Sequence, residues 1–458
     1  MPKLIDHKGI LPSQLKRDAP CTKNISKKTR YSIDSLIDRY MKFLDKARIN
    51  NEVNKEIMDL AKEKNFFNKD KNFKVENLDQ TAFALVKIGR KPIEEGIRII
   101  YAHNDVPCLQ IKPVPIRMQW DPDLQPLHLG VEMSVMPYGG AVHYQWFARD
   151  CELRGWIVKN GRRRKLKLDV YIPDISTHVD YRGSDEVDQA FSWENIRVID
   201  GSDGEKSLLE FLKFESRIDF SRSKLYIVPK TQTTKIKGDY IAGYGHDDRC
   251  CAFTAVDAFL SARALYTTMV IGFDKEEIGS DGDGGAKGNF FEQILGRTIA
   301  KARNISLEKV TWGLVQKTIQ NSYALSADVD VGASSFEAEN NGNLDLKSMG
   351  KLGHGALICA YDGAWESNQI SATYMDKILT MMNKQRVKIR YQVTGNPHDA
   401  DNGEGSGSHA EYFTNRGIPT INLGLPVSGL HSHSELIHGG DLYWMKEAYK
   451  TFFENKIK

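Results

Sequence analysis

The chain has 458 residues, 41% of them hydrophobic, and a formal net charge of +3. This composition excludes collagen-like, coiled-coil and broadly disordered chains, and the near-neutral charge argues against a nucleic-acid or anionic-membrane partner. No segment resembles a signal peptide, and no apolar run approaches the roughly 20 residues of a membrane helix. Six scattered cysteines without a Cys-x-x-Cys pair predict free thiols in a reducing compartment. The sequence therefore predicts a cytoplasmic protein of about three domains, or fewer.

The first hundred residues predict helices followed by a buried strand. Apolar residues recur at helical spacing within 23–68, which predicts an amphipathic helix and then a second one over 53–64. Residues 97–102 form a short apolar run, typical of a strand buried in a parallel sheet. That run ends in a His-Asn-Asp-Val-Pro string, so His103 and Asp105 follow the strand directly.

Short β-like runs dominate residues 114–238. Two of them, 153–159 and 162–171, flank Asn160-Gly161, which is a strong signal for a β-hairpin. We therefore predict that 114–238 is a β-rich domain inserted into a larger one. The basic string at 162–167 suggests RNA binding, but its place beside the hairpin turn favours a solvated edge strand protected by charge.

Alternating strands and helices return in residues 239–458. The predicted helices cover 247–266, 409–415 and 441–454, and the predicted strands cover 267–273, 323–327, 387–393 and 419–423. This alternation predicts an α/β fold in which helices flank a central, mostly parallel sheet. Residues 1–113 and 239–458 together would form this α/β domain, into which 114–238 is inserted.

Ionisable residues occur at five places next to predicted strand ends, where α/β sheets bind their ligands. Each place alone has a structural explanation, such as a capped turn, a helix cap or exposed loop acids. Asp105 lies two positions after His103 and can orient its imidazole, while neighbouring glutamates point in opposite directions. The residues concerned are His103 with Asp105, Asp247 with Asp248, Glu276 with Glu277, Asp328, and His431 with His433.

Taken together, the five places favour a metal centre. Histidine nitrogens and carboxylate oxygens suit two zinc-like ions that share one carboxylate. Such a pair lowers the pKa of a shared water enough to supply a bridging hydroxide at neutral pH. Paired glutamates then allow one side chain to bind metal while the other faces that water.

The order of these motifs closely resembles the aspartyl aminopeptidase family, to which yeast aminopeptidase I belongs. The resemblance covers nearly the whole chain, and the string around Glu276 and the His-Ser pair at His431 are specific to it. It implies a zinc-peptidase, phosphorylase/hydrolase-like fold with an inserted β-rich dimerisation domain. The motifs are His103-Asn104-Asp105-Val106-Pro107, Gly245-His246-Asp247-Asp248-Arg249, Asp274-Lys275-Glu276-Glu277-Ile278-Gly279-Ser280, Ser326-Ala327-Asp328 and Leu430-His431-Ser432.

The resemblance also implies a role for individual residues. Glu276 matches the general base that takes a proton from the bridging water, and Asp105 matches the residue that orients the first histidine. His178, in the inserted domain, matches a histidine that reaches the substrate of a neighbouring subunit. Two Zn²⁺ ions per subunit, for which Co²⁺ or Mn²⁺ can substitute, would be bound by His103, Asp247, Glu277, Asp328 and His431, with Asp247 bridging them.

Family members act on peptides and form tetrahedral homododecamers built from dimers, so the resemblance implies self-association, with no nucleic-acid or membrane partner. The family prefers acidic N-terminal residues, but around 363–368 we find no counterpart of the lysine that eukaryotic members use near the substrate. His246 replaces a usual leucine, and 395–407 diverges. The preferred N-terminal residue therefore stays open.

Two other functions compete with a dizinc aminopeptidase. A related co-catalytic zinc carboxypeptidase or deacylase would use the same metals, but it would need a fixed cation for the substrate's carboxylate. A non-catalytic assembly or nucleic-acid-binding protein would use the basic string at 162–167. The presence of all five ligand residues argues against this last function.

Overall fold

The computed structural model describes residues 20–116, 131–174, 192–202, 205–333, 349–362, 368–385, 388–394 and 408–457. In these parts of the chain the α-helices are α1 (Lys27–Lys46), α2 (Asn50–Glu63), α3 (Glu205–Leu212), α4 (His246–Ser261), α5 (Phe290–Arg303), α6 (Trp312–Gln320), α7 (Ala372–Asn383), α8 (Ala410–Thr414) and α9 (Gly439–Glu454).

The strands of the same parts are β1 (Asn72–Glu76), β2 (Phe83–Lys87), β3 (Ile97–His103), β4 (Cys108–Ile116), β5 (Glu132–Tyr138), β6 (Arg149–Lys159), β7 (Arg162–Ile172), β8 (Val198–Ile199), β9 (Ser223–Pro229), β10 (Thr234–Ile236), β11 (Tyr240–Gly243), β12 (Thr267–Phe273), β13 (Tyr323–Ser326), β14 (Asp330–Ala333), β15 (Gly350–Lys351), β16 (Ala356–Cys359), β17 (Tyr361–Asp362), β18 (Asn368–Gln369), β19 (Tyr391–Thr394), β20 (Thr420–Gly424), β21 (Pro426–Val427) and β22 (Glu435–His438).

An eight-stranded sheet in the order β1-β2-β12-β3-β13-β20-β16-β19 forms the centre of the fold. Its four middle strands, β12, β3, β13 and β20, run parallel, whereas β2 and β16 are antiparallel to their inner neighbours. The predicted α/β fold with a largely parallel centre is confirmed, and both margins of the sheet are mixed. Because the middle strands are parallel, their carboxyl ends meet at one edge.

Helices cover both faces of this sheet, as the burial of β3 shows. All seven of its residues are buried. Ile100 and Ala102 pack into the apolar cluster that includes α1, α4 and α9, while Ile99 and Tyr101 pack into the cluster that includes α5 and α8. Successive side chains of a strand point to opposite faces, so a continuous apolar run is what a doubly covered strand requires.

The β-rich region contains a closed barrel in the order β4-β5-β8-β7-β6-β9, with an apolar core of its own. The predicted hairpin is confirmed, because Lys159 pairs with Arg162 across a two-residue turn. Both turn residues, Asn160 and Gly161, have positive φ (50° and 70°), as a tight hairpin turn requires. The barrel strands run from Cys108 to Pro229 along the chain.

The basic string lies on β7. Among the described residues, this strand pairs with β6 along its whole length but with β8 only at Tyr171, so most of its other edge has no strand partner there. Arg163 forms an ion pair with Asp79 at 2.9 Å, and Lys167 forms one with Glu152 at 2.8 Å. The string is therefore a charged edge strand whose cations are partly neutralised within the chain.

Some helices and strands begin or end at residues other than those predicted from the sequence. The helix predicted over 247–266 ends at Ser261, because the chain then turns over the edge of the sheet to enter β12. The strand predicted over 387–393 is β19, which begins only at Tyr391. None of the helices in the described residues is both long and apolar enough to cross a membrane.

Candidate metal centre

The carboxyl edge of the parallel strands carries the predicted site residues. His103 ends β3, Glu276 and Glu277 lie in a short 3-10 helix just after β12, and Asp328 follows β13 by two positions. Asp247 lies in the first turn of α4, and His431 lies between β21 and β22. Five segments distant in sequence thus bring their side chains to one place.

Asp247 lies at the middle of this cluster. Its Oδ1 is 2.9 Å from His103 Nε2, and its Oδ2 is 3.3 Å from His431 Nε2. Glu277 Oε2 lies 3.5 Å from the same nitrogen of His431, and Asp328 Oδ1 lies 3.9 Å from His103 Nε2. The two oxygens of one carboxylate therefore face two different histidines, each with a further carboxylate beside it.

Asp105 connects His103 to the paired glutamates. Its Oδ1 is 3.3 Å from His103 Nδ1, on the side of the ring opposite to Asp247. The backbone N–H groups of Glu276 and Glu277 donate to its two oxygens, each at 3.1 Å. The hydroxyl of Tyr138, from barrel strand β5, also donates to Oδ2 at 3.1 Å. This one carboxylate thus orients both the histidine and the turn that carries the glutamates.

The pKa shifts show how strongly the charges in the cluster interact. Burial alone would raise the pKa of Asp247, but hydrogen bonds from His103 and His431 lower it instead. Burial raises the pKa of Glu277 well above its usual range, and Asp247 raises it further. Burial also raises the pKa of Glu276 to about 7, opposed by His103 and reinforced by Asp105 and Asp247. So many carboxylates in one place favour the binding of cations.

Glu435 is a site residue to which the sequence assigns no role. Its Oε2 accepts the backbone N–H of Asp247 at 3.1 Å, and its Oε1 accepts that of His431 at 2.9 Å. His431 has a positive φ of 62°, uncommon for a side chain with a Cβ, and this hydrogen bond helps to hold it there. The proximity of Glu435 to His431 in sequence is the one signal that could have found it.

His246, the departure from the family pattern, contacts no predicted metal ligand through its ring. Its Nε2–H donates to the Ile241 carbonyl at 3.1 Å, and its Nδ1 accepts from the Tyr40 hydroxyl at 2.7 Å. Both ring nitrogens are therefore used, and burial lowers the pKa of His246 to about 3, which keeps the ring neutral. His246 thus connects the start of α4 to α1 through its hydrogen bond with Tyr40.

The donor atoms fit zinc. Buried Glu277 Oε1 has no hydrogen-bond partner among the described residues, as expected of an oxygen reserved for a metal ion. Around His103, two groups of three possible ligand atoms lie within 4.8 Å of one another. They are His103 with Asp247 and Glu277, and His103 with Asp248 and Asp328. Predicted His178 and the divergent stretch 395–407 lie outside the described residues.

Histidines and carboxylates gathered at the carboxyl edge of an α/β sheet, around one shared aspartate, define the class of metal-dependent hydrolases. The model of the aminopeptidase I zinc metalloprotease family (M18) matches residues 43–453. The chain belongs to this family of metal-dependent aminopeptidases, and the predicted resemblance is confirmed.

Individual relatives are similar to this chain over almost their full length. The probable M18 family aminopeptidase 1 of Borreliella afzelii is 29% identical, over 94% of this chain and 98% of its own. The crystal structure of the M18 aminopeptidase of Thermotoga maritima superposes with a TM-score of 0.84 at 26% identity, covering 96% of this chain and 99% of its own. A dodecamer of S. cerevisiae mApe1 shares the fold, with a TM-score of 0.70 at 17% identity, covering 92% and 97%.

Proposed function

We propose that this protein is a dizinc aminopeptidase that hydrolyses the N-terminal bond of peptides. The observation that carries the proposal is the position of Asp247, whose two oxygens face separate histidines at 2.9 and 3.3 Å. A bridging carboxylate needs this arrangement, because each of its oxygens binds a different ion.

The distances divide the ligands into two sets. His103 and Asp328 accompany Oδ1 of Asp247, whereas Glu277 and His431 accompany Oδ2. Two zinc ions bound there would polarise the scissile carbonyl and acidify the attacking water. Co²⁺ or Mn²⁺ would serve as substitutes, because nitrogen and carboxylate ligands also accept them.

Glu276 is the proposed general base. Its backbone N–H is fixed by Asp105, and its carboxylate interacts electrostatically with His103, Asp247 and His431, so it lies beside the cluster. A carboxylate beside a metal-bound water can accept its proton and return it to the leaving amine, which is the role that we assign to Glu276.

Replacing Glu276 by Gln tests this assignment. The Gln variant should keep two zinc ions per chain by mass spectrometry but lose about 100- to 10,000-fold in kcat on aminoacyl amides. The matched control is Glu277→Gln, which should lose one ion as well as activity. Near-normal turnover by Glu276→Gln would refute its role as base.

A panel of substrates separates this proposal from its closest competitor. An aminopeptidase cleaves free peptides and rejects their N-acetylated forms, whereas a carboxypeptidase or deacylase would accept the blocked forms. Aminoacyl amides with acidic, basic and apolar side chains would then show whether this chain shares the family's acidic preference.

The assembly that we propose is a tetrahedral homododecamer built from dimers, in which the β-rich insert 114–238 makes the dimer contact. The dodecameric mApe1 neighbour supports it, as do exposed apolar side chains on the barrel strands at Val114, Met136 and Tyr171. Six free, buried cysteines fit a cytoplasmic setting.

His178 would then act in a neighbouring subunit, and mixed oligomers test this directly. His178→Ala and Glu276→Gln should each be nearly inactive alone. Subunits of both variants, unfolded and refolded together, should recover activity, because a Glu276→Gln subunit can lend its His178 to a site with an intact Glu276. Absence of recovery in oligomers shown to contain both variants would refute a shared site.

A further inference from the structure

A cavity separate from the metal centre lies at the opposite edge of the central sheet. Its volume is about 870 Å³, and it is lined by residues just before β1, by the end of β2 and by the segment between α4 and β12. The seven-residue strand β12 begins beside this cavity and ends at the glutamate turn. At about 3.3 Å per residue, the two sites are on the order of 20 Å apart.

Positive charge dominates the lining. Asp70 is its one acidic member, against Lys69, Lys71, Lys87, Arg90 and Arg263. These side chains give the cavity a larger net positive charge than the formal +3 of the whole chain. Such a concentration in a concave surface raises the local potential for anions.

Among the described residues, no carboxylate oxygen lies within 4.0 Å of a charged nitrogen of these five side chains. Lysines just outside the cavity behave differently: Lys74 is paired with Glu76, and Lys91 is paired with Glu95 at 3.2 Å. The cations without an ion pair are therefore those that line the cavity, whereas the nearby Lys74 and Lys91 are each neutralised by a glutamate.

Lys87 forms the floor of this charged surface. Its Nζ donates to the backbone carbonyls of Phe259 and Leu260 at the end of α4, so its position is fixed. The pKa of Lys87 is lowered to about 8, mainly by burial and then by the positive charge of Lys69, whereas Glu454 opposes the shift. The lysines thus repel one another, and a bound anion would relieve that repulsion.

We propose that this cavity binds a small organic di- or triphosphate. The volume lies within the usual range for small-molecule sites, about 300–1,000 Å³. Cations from three separate segments surround it, as closely spaced phosphate groups require. Ile88, Leu260 and Leu265 line the same cavity and offer apolar contact to the organic part of the ligand.

Calorimetric titration with inorganic tripolyphosphate and with ADP tests the proposal. Lys71→Glu and Arg263→Glu change exposed side chains on different walls, and each should weaken binding at least about tenfold. The matched control is Lys206→Glu, which makes the same charge reversal on barrel helix α3, where the side chain is 92% exposed. It should bind like the unmodified chain.

Chelation of zinc by the phosphates is excluded by repeating the titration after metal removal, when binding should persist. ADP should bind more tightly than pyrophosphate titrated in the same way, because the apolar residues of the lining contact its nucleoside. The proposal is overturned if neither anion binds, if binding disappears with the metal, or if both cavity variants bind normally. Normal binding with altered sedimentation would instead assign this surface to a contact between subunits.

Discussion

Tyr138 and Asp105 join the barrel to the metal centre through one hydrogen bond, 3.1 Å from the tyrosine hydroxyl to Oδ2. Both residues are buried. Asp105 also faces His103 and accepts two backbone N–H groups from the glutamate turn. A barrel side chain thereby helps to set the position of residues that bind metal.

Removing that hydroxyl should weaken the metal centre without unfolding the chain. We expect Tyr138→Phe to lower both the zinc affinity and kcat/KM, by about 10- to 100-fold. Losses of this size are typical when a hydrogen bond that orients a metal-binding histidine is weakened. Zinc titration against a competing chelator would measure the affinity. Tyr31→Phe, at a tyrosine of α1 that is 76% exposed, is the control and should leave both quantities unchanged.

The two neighbouring histidines of the last motif should differ in their effect on metal content. His431 lies beside Asp247 and Glu277, whereas His433 Nδ1 lies 2.9 Å from Gln145 Oε1. We therefore expect His431→Ala to bind one zinc ion less per chain and His433→Ala to bind the normal number, both measured by mass spectrometry. Equal loss in the two variants would contradict this division of roles.

His246 should contribute to stability and not to the reaction. His246→Leu would take away the acceptor of the buried Tyr40 hydroxyl and the hydrogen bond to the Ile241 carbonyl, which should lower the free energy of unfolding by about 1–3 kcal/mol. Tyr40→Phe combined with His246→Leu should cost less than the sum of the single changes, because one orphaned group disappears. Urea unfolding of the four proteins would test this, and strict additivity would count against it.

Asp257 should make the stability of the helical layer depend on acid. Burial opposes ionisation, but Arg39 at 2.7 Å and Lys446 at 2.7 Å hold the pKa of Asp257 below its usual range. This stabilisation is present above the ordinary carboxyl pKa and is lost as the pH falls through the lowered value. We expect Asp257→Asn to lower the free energy of unfolding by about 2 kcal/mol at pH 7. In urea unfolding at pH 3 that difference should shrink, and an unchanged difference would contradict the assignment.

The sequence was sufficient to predict which residues meet at the carboxyl edge. His103 ends a strand of the parallel centre, and Glu276 and Asp328 each come shortly after one, so topology alone brings them together. Tyr138 and Glu435 could not be predicted in the same way. Their contacts depend on how the barrel docks and on how the loop before β22 folds, neither of which leaves a periodic pattern.

The sequence also could not predict that β2 and β16, at the margins of the sheet, run antiparallel to the central strands. β2 and β16 are as apolar as the parallel strands, and burial on both faces gives the same composition in either direction. Strand direction is decided by connections and pairing partners that lie far away in the chain. The residues of a strand therefore indicate its burial better than its orientation.

The segment after β5 has a consequence for protein engineering. Gly140 accepts at 3.2 Å from His431 Nδ1, and Gln145 contacts His433, so this stretch forms part of the rim above the two histidines. A shortened enzyme made by cutting out the barrel and joining its flanks would lose that rim together with the tyrosine behind it. The smallest active version of this chain should therefore still contain the barrel.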